Sequence, residues 1–201
     1  MEMPPMMKEK ASHVKTFIRE QAANFLTISN LSAGFFALVL AIEGKVQAAI
    51  FFILLASCFD FFDGALARFL HTTSIFGKTL DSLSDIVSFG ISPLILLYQL
   101  YASETSIFFL SALLFYLLAS AIRLARFQEQ QTAHFIGLPI TAASVILTLG
   151  IISTLSMTWS VHFFTVLLLL LSSMMLSTYE WSVRGIMNKY TFIDYSENKK
   201  E

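Results

Sequence analysis

Charged side chains are scarce in this chain. Asp, Glu, Lys and Arg make up 13% of its 201 residues, against roughly 25% in a typical soluble domain. The net charge of −1 provides no basic surface for nucleic acid, so no nucleic-acid partner is expected. The single cysteine, Cys58, excludes a disulfide within the chain and a cluster of thiolate metal ligands.

Apolar residues are abundant instead, at 56% of the chain with 20 phenylalanines. Six runs have about the 20-residue length that crosses a bilayer as a helix. We predict an all-α, polytopic integral membrane protein with six transmembrane helices at residues 25–43, 46–70, 79–102, 105–128, 135–156 and 159–179.

These helices form one predicted domain, residues 25–180. The N-terminal segment, residues 1–24, carries apolar residues at helical spacing between charged ones, which favours a short interfacial amphipathic helix within 12–24. A solvated leader is the alternative. Residues 181–201 form the predicted C-terminal tail.

Basic residues indicate the orientation of the six spans. If the spans alternate, twelve of the 13 Lys and Arg residues fall on one side of the membrane, and only Lys45 falls on the other. The positive-inside rule then places both termini in the cytoplasm of a multi-pass cell-membrane protein.

Four aspartates lie inside this apolar sequence. Asp60 and Asp63 are three residues apart and Asp81 and Asp85 four apart, so each pair shares one face of a helix, and Ser88 and Ser92 extend the second face. One charge at the bilayer centre costs at least about 2.5–3.5 kcal/mol. Bound divalent cations would neutralise the pairs, because Mg²⁺ and Mn²⁺ prefer carboxylate oxygen. Helix–helix hydrogen bonds, or ion pairs with the available arginines, are the structural alternative.

The spacing of these residues resembles the signature of a known family. The pattern Asp-x2-Asp-Gly-x2-Ala-Arg-x8-Gly-x3-Asp-x3-Asp is that of the CDP-alcohol phosphatidyltransferases. Every specified position is filled, by Asp60, Asp63, Gly64, Ala67, Arg68, Gly77, Asp81 and Asp85. The resemblance implies a membrane-embedded enzyme, typically a homodimer, that uses two divalent cations, Mg²⁺ or Mn²⁺, to displace CMP from a CDP-linked lipid.

The resemblance also implies roles for individual residues. Asp60, Asp63, Asp81 and Asp85 would hold the metals, and Asp85 would also accept the proton of the attacking hydroxyl. Gly64 and Ala67 would make room for the nucleotide of CDP-diacylglycerol, and Arg68 and Ser74 would contact its phosphates or a neighbouring lipid phosphate. The active site would face the cytoplasm, because both acidic pairs lie near the cytoplasmic ends of their helices.

Other segments resemble one branch of the family, the membrane-embedded phosphatidylserine synthases. They are NFLTISNLSAG at 24–34, LDSLSDIVSFGISP at 80–93, AIRLARF at 121–127 and FIGLPITAA at 135–143. Asn30 stands where the glycerol-phosphate branch usually has Arg, which favours L-serine as the acceptor alcohol.

Four further residues are candidates for substrate binding. Thr27 and Asn30 share a face of the first helix and are assigned to the CDP-diacylglycerol site, with helix–helix hydrogen bonding as the alternative. Arg123 and Arg126 are assigned to the serine carboxylate or a lipid phosphate, with snorkelling to lipid headgroups as the alternative.

We therefore expect transfer of a phosphatidyl group from CDP-diacylglycerol to serine within a membrane of lipids. Two alternatives remain at this point. Another acceptor, such as glycerol 3-phosphate, an inositol compound or choline, fits the same signature. An ion or proton transporter would also use buried carboxylates, but it predicts polar residues through to the far side, where Ala49–Leu55 and Ile107–Leu114 are largely apolar.

Overall fold

The computed structural model describes residues 5–70, 75–129 and 137–177, with side chains described for 21, 24–66, 75–128 and 137–177. Within this part of the chain all regular elements are helical, as predicted. They are α1 (Pro5–Ile42), α2 (Val46–Leu70), α3 (Ile75–Asp85), a π-helix (Ile86–Ile91), α4 (Ser92–Leu100), a 3-10 turn (Ala102–Glu104), α5 (Ile107–Glu129), α6 (Ile140–Ser153) and α7 (Val161–Leu176).

Four helical stretches are long and apolar enough to cross a membrane. They are Asn24–Ile42, Val46–Leu66, Ile75–Leu100 and Ile107–Gln128, and α6 and α7 are shorter apolar helices. Large apolar side chains on these stretches face outward, including Phe25, Phe51, Phe108 and Leu114. Such outward apolar surface suits lipid rather than water, so the chain is a multi-pass membrane protein.

Helix α1 differs from the expected division into a surface helix and a separate first span. It continues from Pro5 to Ile42 without interruption, because residues 6–33 contain neither proline nor glycine to end it. It stops at Gly44, whose φ of +73° is easily adopted by glycine. Lys45 N–H donates there to Leu40 O at 2.9 Å. Because the side chains of 12–20 lie outside the described part, the interfacial face stays a prediction.

Small residues bring α1 and α2 together. Ala33, Ala37 and Ala41 recur every four residues along α1 and are buried, as are Ala49 and Ala56 on α2. Side chains of this size let two helical backbones approach closely in a membrane. These buried alanines therefore let α2, which carries the first acidic pair, pack directly against α1.

Pro93 accounts for the irregular middle of the third apolar stretch. A proline has no N–H for the carbonyl four residues earlier, which here is Phe89 O. The buried Tyr116 hydroxyl from α5 donates to that oxygen at 3.5 Å, and Ser92 Oγ donates to Val87 O at 2.8 Å. The π-helix and these two side-chain donors accommodate the irregular backbone that Pro93 produces.

Hydrogen bonds join the helix ends at two opposite poles of the bundle. Tyr101 Oη donates to Trp159 O at 2.8 Å, which joins the end of α4 to the α6–α7 connection. At the other pole, Leu138 N–H donates to Met174 O at 3.2 Å, just before α6 begins and where α7 ends. α6 and α7 therefore run between the same two poles as α5.

Candidate functional site

Four carboxylates meet between the later turns of α2 and the second half of α3. One carboxylate oxygen from each of Asp60, Asp63 and Asp81 lies within 4.8 Å of the other two. Asp85 lines the same cavity as these three residues and is 7% exposed. The structure thus brings together all four aspartates that the sequence predicts as metal ligands.

Helix α1 supplies one hydrogen-bond donor to each acidic pair. Thr27 Oγ1 donates to Asp63 Oδ2 at 2.9 Å, and Asn30 Nδ2 donates to Asp85 Oδ1 at 3.3 Å. Both donor residues are buried. These are bonds of the helix–helix type that the sequence left open for Thr27 and Asn30, and contact with the nucleotide stays a prediction.

The acidic cluster fits a divalent cation. None of the four carboxylates forms an ion pair with a described Lys or Arg side chain. Asp81 Oδ1 and Asn30 Oδ1 are buried oxygens that have no hydrogen-bond partner among the described residues. Carboxylates that converge in a buried site, one of them with an oxygen that lacks a donor among the described residues, are costly unless something neutralises their charge. Hard oxygen ligands of this kind suit Mg²⁺ or Mn²⁺.

A cavity of about 330 Å³ lies against the acidic cluster. Its wall contains all four aspartates and Gly64, and a Cβ added to Gly64 would meet no atom within 4 Å. The rest of the lining is largely apolar and includes Leu124, Phe127, Pro139 and Ile140. Arg123 and Thr141 are polar residues among them. A cavity with anionic and apolar walls suits a ligand that combines a metal-bound diphosphate with a lipid.

The two arginines of α5 lie in different surroundings. Arg123 lines the cavity, is largely buried near Asp85, and its Nε has no hydrogen-bond partner in the described chain. Arg126 is exposed and donates from Nη1 to Leu176 O at the end of α7, at 3.3 Å. Only Arg123 is placed where it can reach a ligand beside the carboxylates.

Three other predicted residues cannot be placed. The backbones of Ala67 and Arg68 belong to α2, but their side chains lie outside the described residues, as does Ser74 altogether. Their contacts with the nucleotide and the phosphates stay predictions.

The start of α6 is a part of the cavity that the residue-by-residue assignment missed. Pro139 and Ile140 line the wall, and Leu138 is tied to α7 through its N–H. Gly137 has a φ of +77°, and a Cβ there would lie 2.7 Å from Met175 O. The signal was present in the segment FIGLPITAA, in which a glycine two residues before a proline precedes an apolar helix.

Comparison with known proteins agrees with the site. The CDP-alcohol phosphatidyltransferase family model matches residues 20–178. A CDP-diacylglycerol–serine O-phosphatidyltransferase of Saccharomyces cerevisiae is 41% identical over 112 residues, which are 52% of this chain and 40% of that protein. The protein of that name from Methanocaldococcus jannaschii is 38% identical over 125 residues, 62% of this chain and 57% of the relative.

An archaetidylserine synthase of Methanothermobacter thermautotrophicus is 39% identical over 126 residues, which are 61% of this chain and 54% of that protein. The chain thus spans about half the length of these relatives. The family match covers most of the chain and includes every aspartate of the acidic cluster. The chain belongs to the CDP-alcohol phosphatidyltransferase family.

Proposed function

We propose that this protein transfers the phosphatidyl group of CDP-diacylglycerol to the hydroxyl of L-serine, with phosphatidylserine and CMP as products. The observation that carries the proposal is the convergence of the four signature carboxylates on one cavity. Serine is favoured as the acceptor because two of the relatives described above are named as serine phosphatidyltransferases and a third as an archaetidylserine synthase.

Asp60, Asp63, Asp81 and Asp85 would hold two divalent cations, Mg²⁺ or Mn²⁺. Bound there, the cations would stabilise the negative charge of the diphosphate and of the departing CMP. The open space beside Gly64 leaves room for the nucleotide at the acidic wall. Ala67, Arg68 and Ser74 complete the proposed CDP-diacylglycerol site with Thr27 and Asn30.

The proposed reaction is a direct displacement. The serine Oγ forms a bond to the lipid-side phosphorus, the bond from that phosphorus to the CMP oxygen breaks, and the proton of the hydroxyl passes to Asp85. A carboxylate near the attacking group assists because an alcohol is a poor nucleophile while it keeps its proton. Arg123 holds the serine carboxylate, since it lines the cavity and its buried Nε has no hydrogen-bond partner among the described residues.

The same proposal includes topology and assembly. Six spans are supported by the two poles at which α6 and α7 meet the ends of α4 and α5. Basic residues place the termini and the active site on the cytoplasmic side of the cell membrane. The six-helix domain is residues 25–180, flanked by the N-terminal segment 1–24 with its interfacial helix and the tail 181–201, and the working unit is a homodimer.

Labelled serine tests the proposal. The purified protein in lipid nanodiscs receives CDP-diacylglycerol, Mn²⁺ or Mg²⁺ and ¹⁴C-serine, and both labelled lipid and CMP are measured. We expect phosphatidylserine and equal amounts of CMP, with activity lost in EDTA and reduced at least about 100-fold by Asp81→Asn, since each metal ligand is needed.

Parallel reactions with other alcohols decide the acceptor. Glycerol 3-phosphate, inositol, inositol phosphate and choline replace serine under the same conditions. Product from one of these and none from serine would overturn the acceptor while leaving the family chemistry intact. Full turnover in EDTA would overturn the metal-assisted mechanism. Cation flux in proteoliposomes without CMP release would support the transporter alternative instead.

A further inference from the structure

Three buried serines, one each on α3, the π-helix and α4, lie against the backbone of α1. Ser84 Oγ donates to Thr27 O at 3.2 Å and Ser88 Oγ donates to Asn30 O at 3.1 Å. The single hydroxyl hydrogen of Ser92 is shared between Gly34 O and Val87 O, each 2.8 Å from Oγ. All three serines are fully buried. Most buried hydroxyls on the other helices bond within their own helix, as Ser172 does to Leu168 O. The three serines form a ladder between two helices.

Two of the three acceptors in this ladder also reach the acidic cluster. Thr27 and Asn30 accept a serine bond on their carbonyls and donate from their side chains to Asp63 and Asp85. Two hydrogen bonds therefore connect each serine to a carboxylate. The first runs from the serine to the α1 backbone, and the second runs from the α1 side chain to the carboxylate. Gly34, the third acceptor, has no side chain that could bond to a carboxylate.

Close backbone contact limits how far α1 can slide along the π-helix beside these bonds. A Cβ on Gly34 would lie 2.7 Å from Ser88 Cα and would overlap the Ser88 hydroxyl. The helices thus touch backbone to backbone at this level, where a hydroxyl has little freedom to turn elsewhere. A shift of Asn30 or Thr27 along α1 would move the donor that orients Asp85 or Asp63.

We propose that Ser84 and Ser88 are positioning residues for the metal ligands, acting through Thr27 and Asn30 respectively. This inference rests on the proposed metal site but not on the identity of the acceptor alcohol. Groups that orient metal ligands from outside the coordination sphere set metal affinity, because a ligand that is held in place loses less entropy on binding. Ser92 makes the same type of bond to the backbone of α1, but its acceptor, Gly34, has no connection to a carboxylate.

Direct Mn²⁺ binding tests the proposal without turnover. The purified full chain in detergent is titrated with Mn²⁺, and free Mn²⁺ is followed by electron paramagnetic resonance in the absence of substrates. We expect Ser84→Ala and Ser88→Ala to weaken binding about fivefold, as for the loss of one net hydrogen bond. Ser92→Ala is the matched control, and it is expected to lower the thermal midpoint without changing Mn²⁺ affinity.

A double-variant cycle identifies the route. In an Asn30→Ala background the carbonyl bond from Ser88 remains but the side-chain donor to Asp85 is gone, so adding Ser88→Ala should change Mn²⁺ affinity no further. Ser88→Cys, which keeps a weak donor of similar size, should restore part of the affinity. If Ser88→Ala does not fold, Ser84→Ala in a Thr27→Val background provides the same test.

The outcomes separate this inference from the proposed function. Equal losses of affinity in Ser88→Ala and Ser92→Ala, or unchanged affinity in both Ser84→Ala and Ser88→Ala, would overturn the positioning role. Weakened Mn²⁺ binding in a protein that makes no phosphatidylserine would support the positioning role and overturn the acceptor. A wild-type chain that does not bind Mn²⁺ would overturn both.

Discussion

Arg123 and Arg126 illustrate how much depends on the surroundings of one side chain. The two are three residues apart on α5, yet Arg123 lines the cavity and Arg126 binds the last turn of α7. A cation at a helix C-terminus is stabilised by the carbonyls that have no partner there. We therefore assign Arg126 to the stability of the α5–α7 contact and Arg123 to the ligand.

Glutamine at each arginine should separate the two roles. Arg123→Gln is expected to lower kcat/KM for serine about 10- to 100-fold, as for the loss of a charged hydrogen bond. The thermal midpoint should change little, because Arg123 Nε has no protein partner to lose among the described residues. Arg126→Gln should lower the midpoint and leave kcat/KM nearly unchanged.

The two variants are controls for each other. A large loss of kcat/KM in Arg126→Gln, with a normal midpoint, would contradict the assignment and place Arg126 in the substrate site. Sequence spacing could not make this distinction, because residues three apart share a face of a helix. Which part of that face meets the cavity depends on how α5 is rotated against α7, and that rotation is set by packing.

At the scale of the helices, the acidic cluster was the most predictable part of the site. Spacing of three in α2 and four in α3 was enough to put both pairs on facing helices, and the structure confirms that they meet. The donors from α1 were less predictable, because Thr27 and Asn30 are separated from the aspartates by at least 30 residues of sequence. Their partners depend on the close approach of α1 to both α2, which carries Asp63, and α3, which carries Asp85.

Two glycines on these helices look alike in sequence and differ in the structure. Gly34 faces the backbone of Ser88, whereas a Cβ on Gly64 would meet nothing within 4 Å. Gly34→Ala should therefore destabilise the protein by about 1–3 kcal/mol through overpacking. Gly64→Ala should preserve or raise stability by up to about 1 kcal/mol, because alanine favours a helix, and should still raise KM for CDP-diacylglycerol if the open space holds the nucleotide.

Unfolding and kinetics together measure this contrast. Thermal unfolding in detergent reports the stability of the two variants, and KM for CDP-diacylglycerol at saturating serine reports the cavity. An unchanged KM in Gly64→Ala would mean that the nucleotide lies elsewhere. An unchanged midpoint in Gly34→Ala would mean that α1 and the π-helix are further apart than the ladder of serine bonds requires.

For the molecule as a whole, composition predicted the all-α class, and the apolar runs predicted the four long spans to within a few residues. The predicted second span, 46–70, coincides with α2 (Val46–Leu70). The break in the third span was harder to predict, because Pro93 could have produced a kink or a bend. The local structure depends on Tyr116 and Ser92, because their hydroxyls donate to the carbonyls of Phe89 and Val87. Whether there are six spans depends on whether α6 and α7 are long enough to cross the membrane. With 14 and 16 residues they extend about 21 Å and about 24 Å.

Cysteine labelling should settle whether α6 and α7 cross the membrane. The background is Cys58→Ser, which removes the single native thiol. We expect Ser103→Cys and Ser156→Cys to react with a membrane-impermeant maleimide added outside intact cells. Gln128→Cys should react only after permeabilisation. All three positions are exposed, so a lack of labelling reflects the membrane rather than burial in the protein.

The Tyr101–Trp159 hydrogen bond determines which labelling pattern is expected. It fixes the α6–α7 connection at the pole that also contains Ser103, while Arg126 and Leu176 meet at the opposite pole. Helices of about 21–24 Å are shorter than the roughly 30 Å hydrocarbon core, so crossing requires flanking residues to enter the membrane or the bilayer to thin locally. Labelling of Ser156→Cys from the same side as Gln128→Cys would be incompatible with that hydrogen bond and would reduce the count to four spans.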